Sequence, residues 1–63
     1  MGEAADSLPG VVFLLGDTVR NCLARAAESN DLSEVRRFLK EADDAMSMIL
    51  QRAKEAQAEI DGT

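Results

Sequence analysis

The feature that most constrains the fold of this 63-residue chain is an unbroken series of nine apolar residues in its second half. Successive members are alternately three and four residues apart, which is the spacing of the two seam positions of a helical heptad. The series consists of Leu32, Val35, Leu39, Ala42, Met46, Ile49, Ala53, Ala56 and Ile60. It predicts a helix over residues 32–60 that packs against other helices at a shallow crossing angle.

The first half of the chain carries a shorter apolar stripe with helical spacing. Its members are Leu8, Val12, Leu15, Val19, Cys22 and Ala26. They predict a first helix over residues 8–29, with Ser7 as its N-cap and Pro9 in its first turn, where a missing N–H costs no hydrogen bond. Residues 1–7 are then expected to form a flexible arm, and residues 61–63 a polar tail.

The apolar run at residues 11–15 also fits a short buried strand, because it is rich in β-branched residues and lies between Gly10 and Gly16. A helix is the favoured interpretation, since a lone strand needs a pairing edge and the chain has no second strand-like run. As a helix, the run is apolar on nearly every side. It therefore needs neighbours on more than one side.

The connection between the two helices is predicted at residues 30–31. Asn30 tolerates the left-handed conformation of a helix C-cap, and Asp31 followed by Glu34 has the spacing of a capping box. So short a turn makes the helices antiparallel. The predicted fold class is all-α: one domain, residues 1–63, forming an antiparallel two-helix hairpin.

Chain length then predicts association. A domain of this size buries only about 60% of the surface that its unfolded chain exposes, and small scaffolds add disulfides, a metal or oligomerisation. With one cysteine and no histidine, oligomerisation is what remains, and we expect a homodimeric four-helix bundle. The predicted helix lengths leave about two turns of the second helix uncovered, around Ala53, Ala56 and Ile60. Cover could come from the N-terminal arm, a second copy or another protein.

Side chains outside the hairpin core are the candidates for a partner or oligomer interface. They are Val11, Phe13, Leu14, Phe38, Met48, Leu50 and Ile60. Phe13, Leu14 and Ile60 are expected to form one apolar patch at the end remote from the turn. Leu39 and Val19 are assigned to the hairpin core instead.

The sequence offers little for catalysis. It has no histidine, and its tight acidic pair, Asp43 and Asp44, is interpreted as part of a solvated face. Cys22 lies on the inward stripe of the first helix and is predicted to be a buried small hydrophobe. We therefore expect no enzymatic activity, no catalytic, cofactor-binding or metal-binding residues, and no small-molecule substrate.

One basic cluster suggests an alternative. Arg36, Arg37 and Lys40 lie within about one turn and could contact nucleic acid across a dimeric bundle. The net charge of −5, the neighbouring carboxylates and the lack of interleaved aromatics make nucleic acid the less favoured partner.

The predicted function is a small non-catalytic protein–protein interaction module. An adaptor, a regulator or an assembly subunit would act in this way, by helix-bundle association with itself and with another helical protein. The alternative is a nucleic-acid-binding regulator. The apolar run near the N-terminus is too short to span a membrane and lacks a basic flank, so we expect no membrane insertion. A lone cysteine requires no oxidising compartment, which favours a cytoplasmic location.

Overall fold

The structure, a computed structural model, describes residues 2–62 and contains two helices, α1 (Glu3–Glu28) and α2 (Leu32–Asp61). They pack against each other as an antiparallel hairpin, 50 Å long, with cross-section extents of 15 and 10 Å. The predicted all-α hairpin is confirmed. Residues 11–15 lie inside α1, so the strand alternative is wrong.

The turn forms through local hydrogen bonds. The Asp31 carboxylate accepts from the Ser33 N–H at 2.9 Å and so caps α2, as predicted. The Asp31 N–H donates to the Ser29 hydroxyl at 3.1 Å rather than to Glu34, so the reciprocal half of a capping box is not made. Within residues 2–62 no non-glycine residue has a positive φ, and the expected left-handed Asn30 is therefore wrong.

Helix α1 begins five residues earlier than predicted. Glu3 to Ser7 form its first turns rather than a flexible arm, and Pro9 lies inside the helix instead of in its first turn. The N-cap position is Gly2, which has no side chain to cap the helix. Met1 and Thr63, at the ends of the predicted arm and tail, lie outside the described residues.

A side chain of α2 provides the missing cap. The Glu59 carboxylate accepts hydrogen bonds from the Ala4 and Ala5 N–H groups, each at 3.0 Å. The first N–H groups of a helix have no partner within the helix, and a carboxylate there also complements the helix dipole. Glu59 therefore supports the early start of α1.

The early start removes the predicted overhang. Because α1 extends to Glu3, it covers the far end of α2, and Ala56 is only 4% exposed. The prediction that two turns of α2 lie uncovered is wrong. The N-terminal segment, one of the three alternatives, covers these two turns within a single chain.

The core between the helices consists of small side chains. In the described chain, the buried apolar residues are Cys22, Ala26, Ala42, Ala45 and Ala56. The burial of Cys22 was predicted. Ala45, outside the nine-residue series, is the most deeply buried at 2% exposure, whereas Leu39 remains 46% exposed. The assignment of Leu39 to the hairpin core is therefore wrong, and Val19 is half-buried.

The residues of α2 that face α1 therefore form a line that is rotated about the helix axis from the nine-residue apolar series. It runs through Val35, Phe38, Ala42, Ala45, Ile49 and Ala56. Alternate members of the series belong to this line, and the other members lie to one side of it. Small side chains let two helix backbones approach closely, so the alanines set the rotation of α2.

Candidate association surface

Most of the large apolar side chains remain at the surface of the hairpin. Those classed as exposed are Val12, Phe13, Leu14, Leu23, Leu32, Leu39, Met46, Met48, Leu50 and Ile60. Scattered exposed apolar residues are normal in proteins, whereas contiguous apolar patches mark association sites. The distribution of these residues around the hairpin therefore decides whether they form an association site.

Five apolar residues of α2 lie in one line along the helix. They are spaced seven residues, or about two helical turns, apart. The line consists of Leu32, Leu39, Met46, Ala53 and Ile60. Met46 directly follows the buried Ala45, which places this line about 100° around the helix from the buried one. On α1, Leu23 has the same relationship to the buried Cys22.

These two sets lie on the same side of the hairpin. Two antiparallel helices are related by an approximate twofold axis perpendicular to the plane that contains them, and rotation about that axis leaves each side of the plane unchanged. A residue that comes directly after a buried residue in the sequence of α1 therefore lies on the same side of the hairpin as one that comes directly after a buried residue of α2. We define this side as the apolar face, formed by Val12, Leu23, Leu32, Leu39, Met46, Leu50, Ala53 and Ile60.

The opposite side, which we call the charged face, is formed by residues that precede the buried line. Its charged members are Arg25, Glu34, Glu41, Arg52, Glu55 and Glu59. A depression of about 760 Å³ lies here, with Arg52, Glu55 and Glu59 in its wall. The Cys22 thiol also points to this side, 3.8 Å from the Glu41 carboxylate.

Two apolar side chains interrupt the charged face. Leu14 and Met48 line a groove of about 450 Å³ together with Val11, Arg52 and Glu55. Leu14 and Met48 are expected to lie on the same side of the hairpin, because each directly precedes an inward residue. The groove contains both charged and apolar walls.

The predicted interface residues are therefore divided among several surfaces. Leu50 and Ile60 lie on the apolar face, whereas Leu14 and Met48 lie on the charged face beside the half-buried Val11. Phe13 points away from α2 and is 73% exposed.

Phe38, the remaining predicted interface residue, is half-buried on the line facing α1. The Arg37 guanidinium lies 5.2 Å from the centre of its ring. This distance is within the range of a cation–π contact.

The expected single patch of Phe13, Leu14 and Ile60 does not form. Ile60 follows Glu59, which contacts Ala4 and Ala5. Phe13 is eight or more residues further along α1, or about 12 Å at 1.5 Å per residue. That prediction took α1 to begin at residue 8, so that residues 11–15 were its first turns and lay at the same end of the hairpin as Ile60.

The basic cluster lies on the side of α2 remote from α1. Arg36, Arg37 and Lys40 surround a shallow depression of about 440 Å³ with Ser33. Among residues 2–62, the ion pairs are Arg20–Asp17 at 3.5 Å and Arg52–Glu55 at 3.6 Å, so none of the three clustered cations is paired with a carboxylate.

The described residues contain no group of three or more histidine, cysteine, aspartate or glutamate side chains arranged to hold a metal ion. Asp43 and Asp44 are both exposed on α2. Across residues 2–62, neither helix combines the length and apolarity needed to cross a membrane.

Sequence reasoning missed two features of this surface. Glu59 gave no local signal, because its partners are more than fifty residues away in sequence. Leu39 and Met46 were assigned to the seam with α1, although their seven-residue spacing also indicated a line of their own. Comparison with protein-family models, curated proteins and solved structures gives no match for this chain.

Proposed function

We propose that this chain is a non-catalytic protein–protein interaction module that acts by helix-bundle association, as an adaptor, regulator or assembly subunit. One observation supports this proposal above the others: the buried residues of the described chain are four alanines and a cysteine, whereas ten large apolar side chains are exposed. Two helices in contact along one line cover only part of the large side chains beside that line, so that Val35 and Ile49 remain half-buried. Further helices would complete the cover.

The proposed form is a homodimeric four-helix bundle that also binds another helical protein. Burying a leucine or methionine side chain contributes about 1.5–3 kcal/mol, and such a contribution is large for a small domain of marginal stability. On the apolar face, Leu39 and Met46 are 46% and 43% exposed. Association would cover them. We place this activity in the cytoplasm, since the lone cysteine requires no oxidising compartment.

Sedimentation equilibrium and thermal melts over a hundredfold range of concentration test the proposal. We expect a mass of at least two chains and a melting temperature that rises with concentration, because association stabilises the folded state by mass action. A 6.8 kDa species with one melting temperature throughout would contradict homodimerisation. We also expect the helix content, measured by circular dichroism, to fall on dilution, because the hairpin depends on its partner for stability.

A second function is supported by Arg36, Arg37 and Lys40, which surround one depression and have no carboxylate partner among residues 2–62. Nucleic-acid phosphates would bind there through charge, and a dimer would present the cluster twice. The net charge of −5 opposes this function. A gel shift with total cellular RNA at several salt concentrations tests it, with Arg37→Glu as the variant expected to abolish any shift and Lys54→Glu as its control.

A further inference from the structure

We propose that the apolar face is the contact between two copies of this chain, and that the two hairpins pack with their turns at the same end. This inference rests on the proposed function, because it specifies the surface and the geometry of the homodimer. Its evidence is the rotation of the apolar series on α2, the area of the apolar face, and the charges at the edges of that face.

The rotation of the series indicates a helix with two neighbours. Val35, Ala42 and Ile49 face α1, whereas the alternate members turn toward the apolar face. The nine-residue series is therefore centred between these two directions. A helix that contacts a single neighbour needs its stripe centred on that neighbour. A helix at the corner of a four-helix bundle has two neighbours nearly at right angles, so its stripe points between them.

The area of the face fits a second hairpin. The side of the hairpin measures 50 Å by 15 Å, a rectangle of roughly 750 Å² that includes the charged residues at its edges. A standard stable interface buries about 800 Å² on each partner. A second copy presents a face of the same length and chemistry, which is the self-complementarity that a twofold dimer requires. The charged face fits this role poorly, because it would bury carboxylates such as Glu41 and Glu55.

A twofold dimer through this face has two arrangements. With the turns at the same end, α1 lies against α2 of the second copy. With the turns at opposite ends, α1 lies against α1, and α2 against α2. Arg20 on α1 and Asp43 on α2 each follow an inward residue and so lie at the edges of the apolar face, and their positions distinguish the two arrangements.

Contacts within the hairpin show which residues are level along its length. Ala4 contacts Glu59 and Cys22 contacts Glu41, so residues whose numbers add to 63 lie at the same height. Arg20 is therefore level with Asp43, and Val12 is nearly level with Leu50. In the arrangement with turns at the same end, Arg20 meets Asp43 of the second copy and Val12 lies close to Leu50 of the second copy. The twofold axis forms each contact twice.

The other arrangement is less complementary. With the two copies of α2 fully overlapped in opposite directions, Asp43 lies beside Leu50 of the second copy. Likewise, Arg20 then lies near Val12 of the second copy. Each charge would meet an apolar side chain of the second copy, at a cost in desolvation that no charge of the second copy offsets.

The glycine at position 16 supports close packing of a second copy against the apolar face. It follows the inward Leu15, and a Cβ atom at this position would meet nothing within 4 Å in the hairpin. Glycine weakens a helix interior, and nothing in the single chain requires it here. In the proposed dimer, Gly16 is nearly level with Met46 of the second copy. The bare backbone at Gly16 gives that side chain room to pack.

Distance measurement between spin labels tests the arrangement. One label is attached at the turn through Asn30→Cys, in a Cys22→Ser background whose helicity is first checked by circular dichroism. Turns at the same end place the two labels well under half of the 50 Å hairpin length apart, because packed helices lie only about 8–10 Å apart. Turns at opposite ends separate the labels by nearly the full length. A second label site, Gly62→Cys, should report the same arrangement from the other end.

A matched pair of variants tests which face forms the contact. Met46 on the apolar face and Met48 on the charged face are the same residue type, exposed by 43% and 51%. Met46→Glu should raise the dimer dissociation constant by at least about tenfold, since it places a charge in the interface. Met48→Glu should leave it within about twofold, as expected of a surface change.

Each outcome has a distinct meaning. A wild-type chain that sediments as a monomer overturns both the homodimer and this inference. A dimer whose Asn30 labels are about one hairpin length apart overturns the same-end arrangement and leaves association intact. A dimer weakened by Met48→Glu and not by Met46→Glu overturns the assignment of the apolar face.

Discussion

Glu59 caps the helix that begins beside Ala4, at the opposite end of the sequence. One oxygen of its carboxylate accepts from the Ala4 N–H and the other from the Ala5 N–H, each at 3.0 Å. An N-cap side chain normally comes from the residue just before its helix. Here that residue is Gly2, and a Cβ at this position would collide with the Glu59 side chain. The glycine therefore leaves room for the carboxylate.

Replacing Glu59 should fray the first turns of α1. Glu59→Ala is expected to cost about 0.5–2 kcal/mol, the usual range for loss of an N-cap, and to speed amide exchange at Ala4 and Ala5. Urea denaturation and NMR hydrogen exchange measure the two effects. The control is Glu55→Ala, which removes only an exposed ion pair with Arg52. Equal exchange at Ala4 in both variants would show that the cap contributes nothing.

Adding a side chain at Gly2 should act through the same contact. A Cβ there would lie 2.8 Å from the Glu59 Cβ and closer still to its carboxylate, so Gly2→Ala should displace the cap. In the double variant with Glu59→Ala, the loss should be smaller than the sum of the two single losses, because both changes remove the same cap and only the close contact between the two Cβ atoms remains. A thermodynamic cycle from urea denaturation tests this, and additive losses would argue against a shared contact.

Enlarging Ala45 should separate the helices. Ala45 is 2% exposed, so Ala45→Leu is expected to cost about 1–3 kcal/mol through overpacking. The matched control is Ala58→Leu, on the exposed part of the same helix, which should change stability by less than about 0.5 kcal/mol. Chemical denaturation compares the two. If Ala45→Leu were tolerated as well as Ala58→Leu, the buried line assigned to α2 would be incorrect.

Truncating Leu39 should weaken the protein mainly through association. Leu39→Ala is expected to cost about 2–5 kcal/mol in the dimer, as for a buried aliphatic side chain, and less at concentrations where chains separate. Asp44→Ala, an exposed change, should cost less than about 0.5 kcal/mol. Denaturation at two protein concentrations distinguishes a loss of association from a loss of packing within the hairpin. A cost at Leu39 that does not depend on concentration would place the side chain in the hairpin instead.

The two glycines inside α1 should respond differently to alanine. Each has open space where a Cβ would be, so each substitution favours the isolated helix by up to about 1 kcal/mol. Gly10→Ala should keep that gain because Gly10 lies away from the apolar face. Gly16→Ala should lose it in the dimer, where the methyl group meets the second copy. Thermal melts at high and low concentration measure the difference, and equal gains at both sites would refute close packing at Gly16.

The sequence alone determined the features that depend on neighbouring residues. The spacing of apolar residues predicted both helices, and the break at Ser29 to Asp31 predicted the turn and the antiparallel arrangement. Asp31 was identified as a cap from its spacing to Glu34, and the hydrogen bond by which it caps α2 reaches only to Ser33. Helix periodicity, capping and short turns are local properties, so a few adjacent residues are enough to specify them.

Only the tertiary structure decided where α1 begins and which line of α2 faces it. The first turns depend on Glu59, whose partners Ala4 and Ala5 are distant in sequence. The apolar stripe of α2 is wider than one neighbouring helix can cover, so periodicity left its rotation open by about 100°, the angle between neighbours such as Ala45 and Met46. Close packing resolved it, because the small Ala45 lets the backbones approach and the larger Met46 does not.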